Sequence, residues 1–346
     1  MRALITGGGG FLGQYIVEQL LQRGEKVRVF SRKKYPELEK AGAESFQGDL
    51  RSYDQIEAAC SGMDVIFHTA ALPGISVWRK PYYETNVLGT QNVVAAALRC
   101  GIKKLICTSS PSVADGGKPQ CGVDESVPYP KKFLAWYPET KAIAEKFVLE
   151  KNGARWTDLN DQGKAQSGQL WTCALRPRLI WGPRDHHLIP RLLDRARSGR
   201  LMQVGDGKNK LDMIYVENAA KAHLLACDAL EKDSPVAGKA YYLSQGEPVL
   251  CWNWINEILK QQGLPPVKRK ISFRFAYILG SVFEFLYKIT FRTSEPPMSR
   301  FLATQLAQSY WFDISNAKND FGYEPEISTE EGMKRLNEYL HENHGK

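Results

Sequence analysis

The chain has 346 residues, of which 43% are hydrophobic and 24% are charged, and its formal net charge is +8. This is the composition of a globular protein that is long enough to bury a sizeable core. The basic residues are scattered, and their tightest clusters, at residues 32–34 and 268–270, are too short to follow a nucleic-acid backbone. We therefore expect no nucleic-acid partner.

Short apolar runs alternate with helical patterns through the first half of the chain. We predict strands at residues 3–5, 27–30, 45–50, 64–68, 104–108 and 171–176. Helical spacing is found at residues 11–23, closed by Gly24, around residues 86–100, and ahead of the sixth strand. Strands that alternate with helices of this kind predict an α/β fold of the Rossmann type, with a doubly wound parallel sheet.

A glycine-rich turn follows the first strand and opens the first helix, with Gly7, Gly10 and Gly13 at three-residue spacing. This context is typical of a dinucleotide-binding site. Gly7 permits a tight turn, Gly10 lets the backbone approach a pyrophosphate, and Gly13 allows close packing of helix and strand. Phe11 and Leu12 lie at the start of the helix, whose free N–H groups and positive dipole end favour phosphates.

The residues after the second strand bear on the choice of cofactor. An acidic side chain there would bind the ribose 2′-hydroxyl of NAD. This chain has Ser31 and Arg32 followed by two lysines, which favours a 2′-phosphate held by Arg32 with help from Ser31 or Lys33. NADP(H) is therefore the preferred cofactor and NAD(H) the alternative, and a solvated basic turn is the competing interpretation.

Two further strand ends are expected to line the cofactor. Asp49 and Leu50 follow the third strand, where the Asp49 carboxylate would accept a hydrogen bond from adenine, although aspartate also favours turns there. Ala70 and Ala71 follow the fourth strand and are small enough to let the backbone lie close to the ribose. His68, which precedes them, is expected to be structural.

The chemistry is expected from Tyr137 and Lys141, which share one face of a helix because they are four residues apart. An ammonium beside a phenol lowers the phenol pKa and yields a proton donor near neutral pH. Ser110 ends the fifth strand, at the edge where such sheets bind ligands. We predict that the nicotinamide delivers hydride to a carbonyl carbon, that Ser110 polarises the oxygen and that Tyr137 protonates it. Lys141 would lower the pKa of Tyr137 and hold the nicotinamide ribose.

Beyond Pro177 the alternation fades, and helices are predicted near residues 187–198, 216–232 and 250–262. We predict a cofactor domain at residues 1–180, to which a strand at 239–243 returns, and a smaller substrate-binding lobe at 181–346. The polar stretch 152–169 is interpreted as a surface excursion. Arg178, Arg184 and Arg191 are candidates for binding a substrate carboxylate, and exposed helix charges are the alternative.

Residues 271–293 are rich in aromatic and aliphatic side chains. Arg274, Glu284 and Lys288 interrupt the run, so we expect no transmembrane helix. The interpretation that we favour is a helix packed on the lobe. The alternatives are an apolar lid over a hydrophobic substrate and a peripheral contact with a membrane surface.

No metal site and no targeting segment are expected. His186 and His187 are adjacent, so their side chains diverge on a helix, and no third ligand is evident. The seven cysteines have no metal-binding spacing, and several lie in apolar runs, which is typical of free thiols in a reducing compartment. Residues 2–6 enter a strand directly, without a signal-peptide pattern, so we expect a cytoplasmic location.

Together these motifs resemble the extended short-chain dehydrogenase/reductase superfamily over essentially the whole chain. The Gly-Phe-Leu-Gly turn, residues 142–146 and residues 176–183 resemble its 3β-hydroxysteroid dehydrogenase group. The four-glycine turn and residues 111–113 are most similar to the bacterial 2-alkyl-3-oxoalkanoate reductases of olefin biosynthesis. This resemblance implies NADPH-dependent reduction of a hydrophobic β-keto acid to a β-hydroxy acid. It also selects Ser110 over Ser109, adds Asn86 and Pro177 to the cofactor site, and implies a homodimer.

Three alternatives share parts of the pattern. A 3β-hydroxysteroid or 4-carboxysterol 3-dehydrogenase would run the oxidation and differ in cofactor choice. A nucleotide-sugar epimerase has the same fold and catalytic residues, whereas a dehydratase would usually place an acidic residue beside the hydroxyl that replaces Ser110. A non-catalytic redox sensor that binds NADPH tends to lose the tyrosine–lysine pair, which this chain keeps.

Overall fold

The chain folds around one large sheet with smaller sheets beside it. The computed structural model describes residues 1–159 and 165–343. Within these ranges the strands are β1 (Arg2–Thr6), β2 (Lys26–Ser31), β3 (Glu44–Gln47), β4 (Val65–His68), β5 (Lys104–Thr108), β6 (Gln120–Val123), β7 (Ala154–Leu159), β8 (Ala165–Pro177), β9 (Ile180–Trp181), β10 (Gln203–Val204), β11 (Lys210–Leu211), β12 (Ile214–Tyr215), β13 (Ala240–Leu243), β14 (Val249–Leu250), β15 (Lys270–Ile271) and β16 (Tyr310–Phe312).

The helices cover both faces of the large sheet and build the rest of the second half. They are α1 (Phe11–Gln22), α2 (Pro36–Lys40), α3 (Tyr53–Cys60), α4 (Arg79–Tyr82), α5 (Gly89–Arg99), α6 (Trp136–Glu150), α7 (Leu188–Arg197), α8 (Val216–Ala229), α9 (Cys251–Gln261), α10 (Phe273–Ile289), α11 (Arg300–Ala307), α12 (Ser315–Phe321) and α13 (Thr329–Glu342). A π-helical turn at Tyr83–Leu88 joins α4 to α5, and a 3₁₀ turn at Pro111–Ala114 follows β5.

Seven strands of the large sheet run parallel in the order β13-β8-β5-β4-β1-β2-β3, and β7 pairs with β8 in the antiparallel sense. The chain winds outward from β1 to β3 and then returns to β4, so the strand order reverses between β1 and β4. Ligands bind at the carboxyl ends of the strands beside such a reversal. The doubly wound α/β fold predicted from the sequence is confirmed.

The central strand β1 is apolar because both of its faces are covered. Ile5 belongs to a buried cluster with Ile16 of α1 and Leu224 of α8, whereas Leu4 packs in a second cluster with Val93 of α5. Helices therefore lie on both sides of the sheet. This fixes the turn after β1 at the carboxyl edge, where the other parallel strands also end.

The polar stretch after α6 contains a strand that the sequence analysis missed. Residues 154–159 form β7, which pairs with the first part of β8, so β8 begins six residues before the strand predicted at 171. Trp156 is buried against Gly168, where a Cβ atom would lie 2.3 Å from the indole ring. The remainder of the predicted excursion, residues 160–164, lies outside the described residues.

The second half of the chain adds short strands and helices beyond β8. A four-stranded sheet has the order β14-β11-β16-β6, and β13 returns to the large sheet by pairing in parallel with β8. The helix α10 packs against α11 and leaves one face to solvent. Among the helices that the structure describes, none is long and apolar enough to cross a membrane.

Candidate active site

The turn between β1 and α1 forms a cradle that a side chain would fill. Gly7 has φ +72°, and a Cβ atom there would lie 2.8 Å from the Cα atom of Ala70. A Cβ atom on Gly13 would lie 2.2 Å from the carbonyl oxygen of Gly7. Gly10 precedes α1 without a side chain that caps the helix, so the first N–H groups of α1 stay available to a ligand. These residues fit the phosphates of a dinucleotide.

The end of β2 carries basic side chains and no carboxylate. Arg32 is exposed, and its carbonyl oxygen accepts a hydrogen bond of 3.0 Å from the Gln47 side chain, which fixes the turn. The Ser31 hydroxyl donates to the carbonyl oxygen of Lys33. Tyr35, which the sequence analysis did not single out, packs so closely over Gly9 that a Cβ atom there would overlap its ring.

The predicted adenine contacts lie beside β3. The Asp49 carboxylate is paired with Arg51 at 2.6 Å, and this hydrogen bond holds the pKa of Asp49 below its usual value. Leu50 is buried and packs against Gly89 at the start of α5. An open cleft beside them is lined by Asp49, Arg51, Ser52, Gln55, Glu84 and Leu88. Asp49 therefore already has a strong partner on the protein.

Asn86 holds the loop that follows β4. Its side-chain oxygen accepts the N–H of Leu72 at 2.7 Å, and its amide nitrogen donates to the Leu72 carbonyl oxygen and to Thr140 of α6. Ala70 and Ala71 lie in the same loop, opposite the glycine turn. Pro177, the last residue of β8, pairs with Leu243 of β13. Asn86 thus links the predicted ribose contacts to the helix that carries Tyr137.

His68 is a buried structural residue, as the sequence analysis expected. Its Nε2 atom lies 2.9 Å from the hydroxyl of Thr90, whose proton is donated to the Asn86 carbonyl oxygen, so Nε2–H is the donor. Its Nδ1 atom therefore accepts from the Thr6 hydroxyl at 2.7 Å. Burial, aided by the nearby Lys141 ammonium, lowers the pKa of His68 to about 3, so the ring is neutral at physiological pH.

The hydroxyl groups of Ser110 and Tyr137 come together at the carboxyl end of β5. Ser110 begins the 3₁₀ turn after β5, and Tyr137 lies in the first turn of α6. Burial raises the pKa of Tyr137, and a hydrogen bond with Ser110 opposes this shift. The Ser110 oxygen also lies 2.9 Å from the Ser112 hydroxyl, a neighbour that the sequence analysis did not assign. Ser109, in contrast, is buried, and its hydroxyl has no hydrogen-bond partner among the described residues.

Lys141 lies one turn after Tyr137 and is almost fully buried. Its ammonium donates to the carbonyl oxygen of Thr108 at 2.7 Å. The ammonium is therefore directed to the end of β5. The lowering of the Tyr137 pKa by Lys141 stays a prediction.

A buried ion pair fixes α6 against β8. Arg176 and Glu145 are 3% and 0% exposed, and their closest atoms are 2.6 Å apart. The Tyr129 hydroxyl donates to the same carboxylate at 2.6 Å. Glu145 lies two turns after Tyr137 and one after Lys141, so the pair sets the position of the helix behind both. The sequence signal was a glutamate beside a lysine in α6, which alone does not identify a partner.

The three arginines proposed for a substrate carboxylate have different surroundings. Arg184 forms an ion pair with Glu18, and the exposed Arg191 pairs with Glu295 at 2.9 Å. Arg178 is 7% exposed, and one of its terminal nitrogens donates to the Gln305 side chain at 2.8 Å. Its Nε and Nη2 atoms have no hydrogen-bond partner in the described chain. Of the three, Arg178 is the one with unused buried donors.

Known proteins resemble this chain over most of its length. The model of the 3-beta hydroxysteroid dehydrogenase/isomerase family matches residues 4–274. A 2-alkyl-3-oxoalkanoate reductase of Stenotrophomonas maltophilia is 45% identical over 97% of this chain and 98% of its own length. The protein of the same name from Shewanella oneidensis is 45% identical over 96% and 85%. A decarboxylating sterol-4-alpha-carboxylate 3-dehydrogenase of Mus musculus is 32% identical over 98% and 91%.

Solved structures share the fold at lower identity. MoeE5 in complex with UDP-glucose and NAD aligns with a TM-score of 0.75 and 23% identity over 100% of both chains. The dTDP-glucose 4,6-dehydratase DesIV of Streptomyces venezuelae, with NAD and TYD bound, aligns with a TM-score of 0.76 and 22% identity over 100% and 98%. At this level of identity the likeness extends to the fold.

Proposed function

The chain belongs to the 3-beta hydroxysteroid dehydrogenase/isomerase family of NAD(P)-dependent oxidoreductases, and on that premise we propose that it reduces a 2-alkyl-3-oxoalkanoate, a hydrophobic β-keto acid, to the β-hydroxy acid. The observation that carries the proposal is the proximity of the Tyr137 and Ser110 hydroxyls at the carboxyl end of β5, close enough for Ser110 to lower the pKa of Tyr137. It provides two hydroxyls for one carbonyl oxygen. Relatives that are 45% identical and bear the name of this activity support the substrate class.

The roles of the side chains follow from their positions. A nicotinamide cofactor, held by the glycine turn and α1, would supply the hydride. The Ser110 hydroxyl donates a hydrogen bond that polarises the substrate carbonyl, and the Tyr137 hydroxyl transfers its proton to the same oxygen. Because burial keeps Tyr137 in its neutral form, it is suited to act as the acid of a reduction. Lys141 holds the end of β5, and we propose that it also contacts the cofactor ribose.

We infer that NADPH is preferred over NADH. Arg32 is exposed at the end of β2, where no carboxylate competes for it within residues 31–34. Asp49, the nearest acid along the predicted cofactor site, is paired with Arg51. A guanidinium in this position suits a ribose 2′-phosphate, with which it forms charge-assisted hydrogen bonds.

Arg178 is the residue that we propose for binding the substrate carboxylate. Its two unused donors are buried, and a buried guanidinium is stabilised by a carboxylate that accepts from both. Arg178 comes directly after β8, and Ser110 comes shortly after β5. Because Thr108 of β5 pairs with Leu175 of β8, both residues lie at the carboxyl edge of the sheet. Arg184 and Arg191 are less suited because each forms a direct ion pair, whereas Asp115 and Asp212 act on Arg178 without a direct ion pair in the described chain.

The proposal is tested with four substrate classes: long-chain 2-alkyl-3-oxo acids, the ketones that result from their decarboxylation, sterols and nucleotide sugars. The change in NAD(P)H absorbance measures turnover of the first three, and product analysis measures turnover of the sugars, because an epimerase consumes no cofactor overall. We expect turnover of the acids with NADPH. The substitution Tyr137→Phe removes the transferred proton and should lower kcat at least about a hundredfold while leaving NADPH binding intact. The matched control Tyr339→Phe, on the remote helix α13, should leave kcat unchanged.

Further arms separate the alternatives. Arg178→Gln should raise KM for the acids and not for the corresponding ketones, since the ketones lack the carboxylate. Turnover of sterols with NAD and none of β-keto acids with NADPH would assign the site to a sterol dehydrogenase. Turnover of a nucleotide sugar would assign it to an epimerase. Full activity of Tyr137→Phe would show that the proton has another donor.

A further inference from the structure

Helix α10 presents a row of large apolar side chains to solvent. Seven of the nine exposed large hydrophobic residues in the described chain lie on α10 or just after it, with exposed fractions of 42 to 78%: Phe275, Ile278, Val282, Phe285, Leu286, Ile289 and Phe291. Their spacing of three and four residues places those on the helix along one face. A soluble domain rarely exposes an apolar strip of this length unless something binds it.

The opposite face of α10 is anchored to the chain that leads into α11. A Cβ atom on Gly280 would lie 2.5 Å from the carbonyl carbon of Ser299, so the two backbones are in contact. The Glu284 carboxylate accepts hydrogen bonds of 2.8 Å from the backbone N–H and from the guanidinium of Arg300. Because both contacts fix the rotation of the helix, α10 cannot roll to bury its apolar row.

The charges around the apolar row are positive. Exposed basic residues lie before, at the start of and after the helix: Lys268, Lys270, Arg274, Lys288 and Arg292. None of these five has a carboxylate partner in the part of the chain that the structure describes. Glu284 is the one acidic residue between positions 268 and 292 of the sequence, and it is turned inward and paired with Arg300. The surface is therefore apolar along its middle and cationic at its ends.

We propose that the protein docks on an anionic phospholipid bilayer through α10. Apolar side chains along one helix face enter the boundary between headgroups and acyl chains, and basic residues at the ends bind the phosphates. Each basic residue near such a surface contributes additional binding to anionic lipid. The inward pairing of Glu284 removes the one acidic group that would oppose this contact.

A second copy of the chain fits this surface less well. If α10 packed against itself about a two-fold axis near Val282, the two helices would be antiparallel. Arg274 of one copy would then lie near Lys288 of the other, and like charges would face each other at both ends. An anionic lipid surface neutralises the same residues, so charge complementarity favours the bilayer.

The apolar row ends at a turn that contacts the loop after β4. Phe291 has φ +51°, a left-handed conformation that bulky residues rarely adopt, and it is 78% exposed. Its ring stacks on Trp78 with centroids 6.1 Å apart, and the Trp78 indole donates to the Arg292 carbonyl oxygen at 2.7 Å. The contact holds this strained turn at the end of the row, next to the loop that carries Ala70 and Ala71.

The proposal is tested by sedimenting the full-length protein with vesicles. One set contains phosphatidylcholine alone, and in the other about a third of the lipid is phosphatidylglycerol. We expect at least about tenfold tighter binding to the anionic vesicles, and weaker binding at high salt. Charge reversal by Arg274→Glu with Lys288→Glu should reduce the binding at least about tenfold. Phe285→Ser with Ile289→Ser should abolish it.

The control pair Lys26→Glu with Lys103→Glu changes the net charge equally at exposed positions at the amino ends of β2 and β5, the edge of the sheet opposite the loop that the end of α10 contacts, and should bind like the wild type. Thermal unfolding checks that all variants fold. Equal binding of the wild type to both vesicle types, or to neither, would overturn the proposal, as would wild-type binding by the Phe285→Ser, Ile289→Ser variant. If that variant converts a dimer into a monomer in analytical ultracentrifugation and still binds vesicles, the face belongs to a second copy.

Discussion

Two consecutive serines at the end of β5 have opposite surroundings. Ser109 donates its backbone N–H to Leu175 of the neighbouring strand, and its side chain is buried without a hydrogen-bond partner in the described chain. Ser110 lies one residue further, where the chain leaves the sheet, and its hydroxyl reaches Tyr137 and Ser112. Because successive side chains of a strand face opposite sides, one position separates a packing serine from one at the site.

The two serines provide a matched pair of variants. Ser110→Ala should lower kcat about a hundredfold, because it removes a hydrogen-bond donor aimed at the substrate oxygen. Ser109→Ala removes an equal group that has no hydrogen-bond partner in the described chain, and we expect a change in kcat of less than about threefold. Steady-state NADPH oxidation measures both. A larger loss in Ser109→Ala than in Ser110→Ala would mean that the assignment of the two serines is reversed.

The structure brings together the hydroxyls of Ser110 and Tyr137, which the sequence predicted for one site, but several contacts of the predicted residues were not predicted. The spacing of Tyr137 and Lys141 predicts a shared helix face, which α6 confirms. The direction of the Lys141 ammonium toward Thr108 depends on how α6 lies on β5, and no local pattern encodes that packing. The sequence also could not show which donors of Arg178 lack a partner. Gln305, which accepts from one terminal nitrogen of Arg178, lies 127 residues later in the chain.

At the scale of elements, the position of α6 depends on the buried pair of Glu145 and Arg176. Glu145 is fully buried and has three hydrogen-bond contacts with the guanidinium, in addition to that with Tyr129. Arg176 also packs its guanidinium against the ring of Tyr242 on β13. The pair therefore joins α6, β8 and β13. Loss of one partner leaves an uncompensated charge in the core.

We expect Glu145→Ala to lower the free energy of unfolding by about 3–5 kcal/mol, because Arg176 would keep its buried charge. Urea denaturation measures the change. Glu326→Ala removes a carboxylate that is 66% exposed and paired with Lys221, and this control should cost less than about 1 kcal/mol. A loss in Glu145→Ala no larger than that of the control would mean that solvent reaches the ion pair.

The elements differ in how far the sequence predicted them. The first five strands were predicted within a few residues, because all but β3 are rich in apolar residues and bounded by turn residues. The strand β7 was missed, since it lies in a polar stretch whose buried Trp156 packs against Gly168 across the hairpin. For residues 271–293 the favoured prediction was a helix packed on the lobe, and the structure has α10 packed with one face open. The face that stays open is the one opposite Gly280 and Glu284, because these two residues contact the start of α11 and the residue before it.

At the scale of the whole molecule, stability depends on two histidines buried on the large sheet. Burial lowers the pKa of His68 to about 3 and that of His223 to about 4, although a hydrogen bond to the Ala219 carbonyl partly offsets the second shift. The unfolded chain has histidine pKa values near about 6.5. Below that pH the unfolded state therefore binds more protons than the folded state, and acid favours unfolding.

We expect the free energy of unfolding to fall as the pH is lowered from 7 to 5, by up to about 1.4 kcal/mol per pH unit for each histidine. Urea denaturation at several pH values measures this slope. In His223→Gln the slope should be smaller by the contribution of one histidine, whatever the absolute stability of the variant. The exposed residue His186 provides the control, and His186→Gln should keep the wild-type slope. An unchanged slope in His223→Gln would show that the His223 ring of the wild type takes up its proton as readily in the folded state as in the unfolded state.

The pairing of β8 with β13 has a consequence for how the protein is made. Residues 1–177 contain every strand of the large sheet except β13, which ends at Leu243. While the chain emerges from the ribosome, the outer edge of β8 stays unpaired until more than sixty further residues have been synthesised. An open strand edge is prone to pair with other chains. Nascent chains halted before β13 should therefore depend on protection from aggregation.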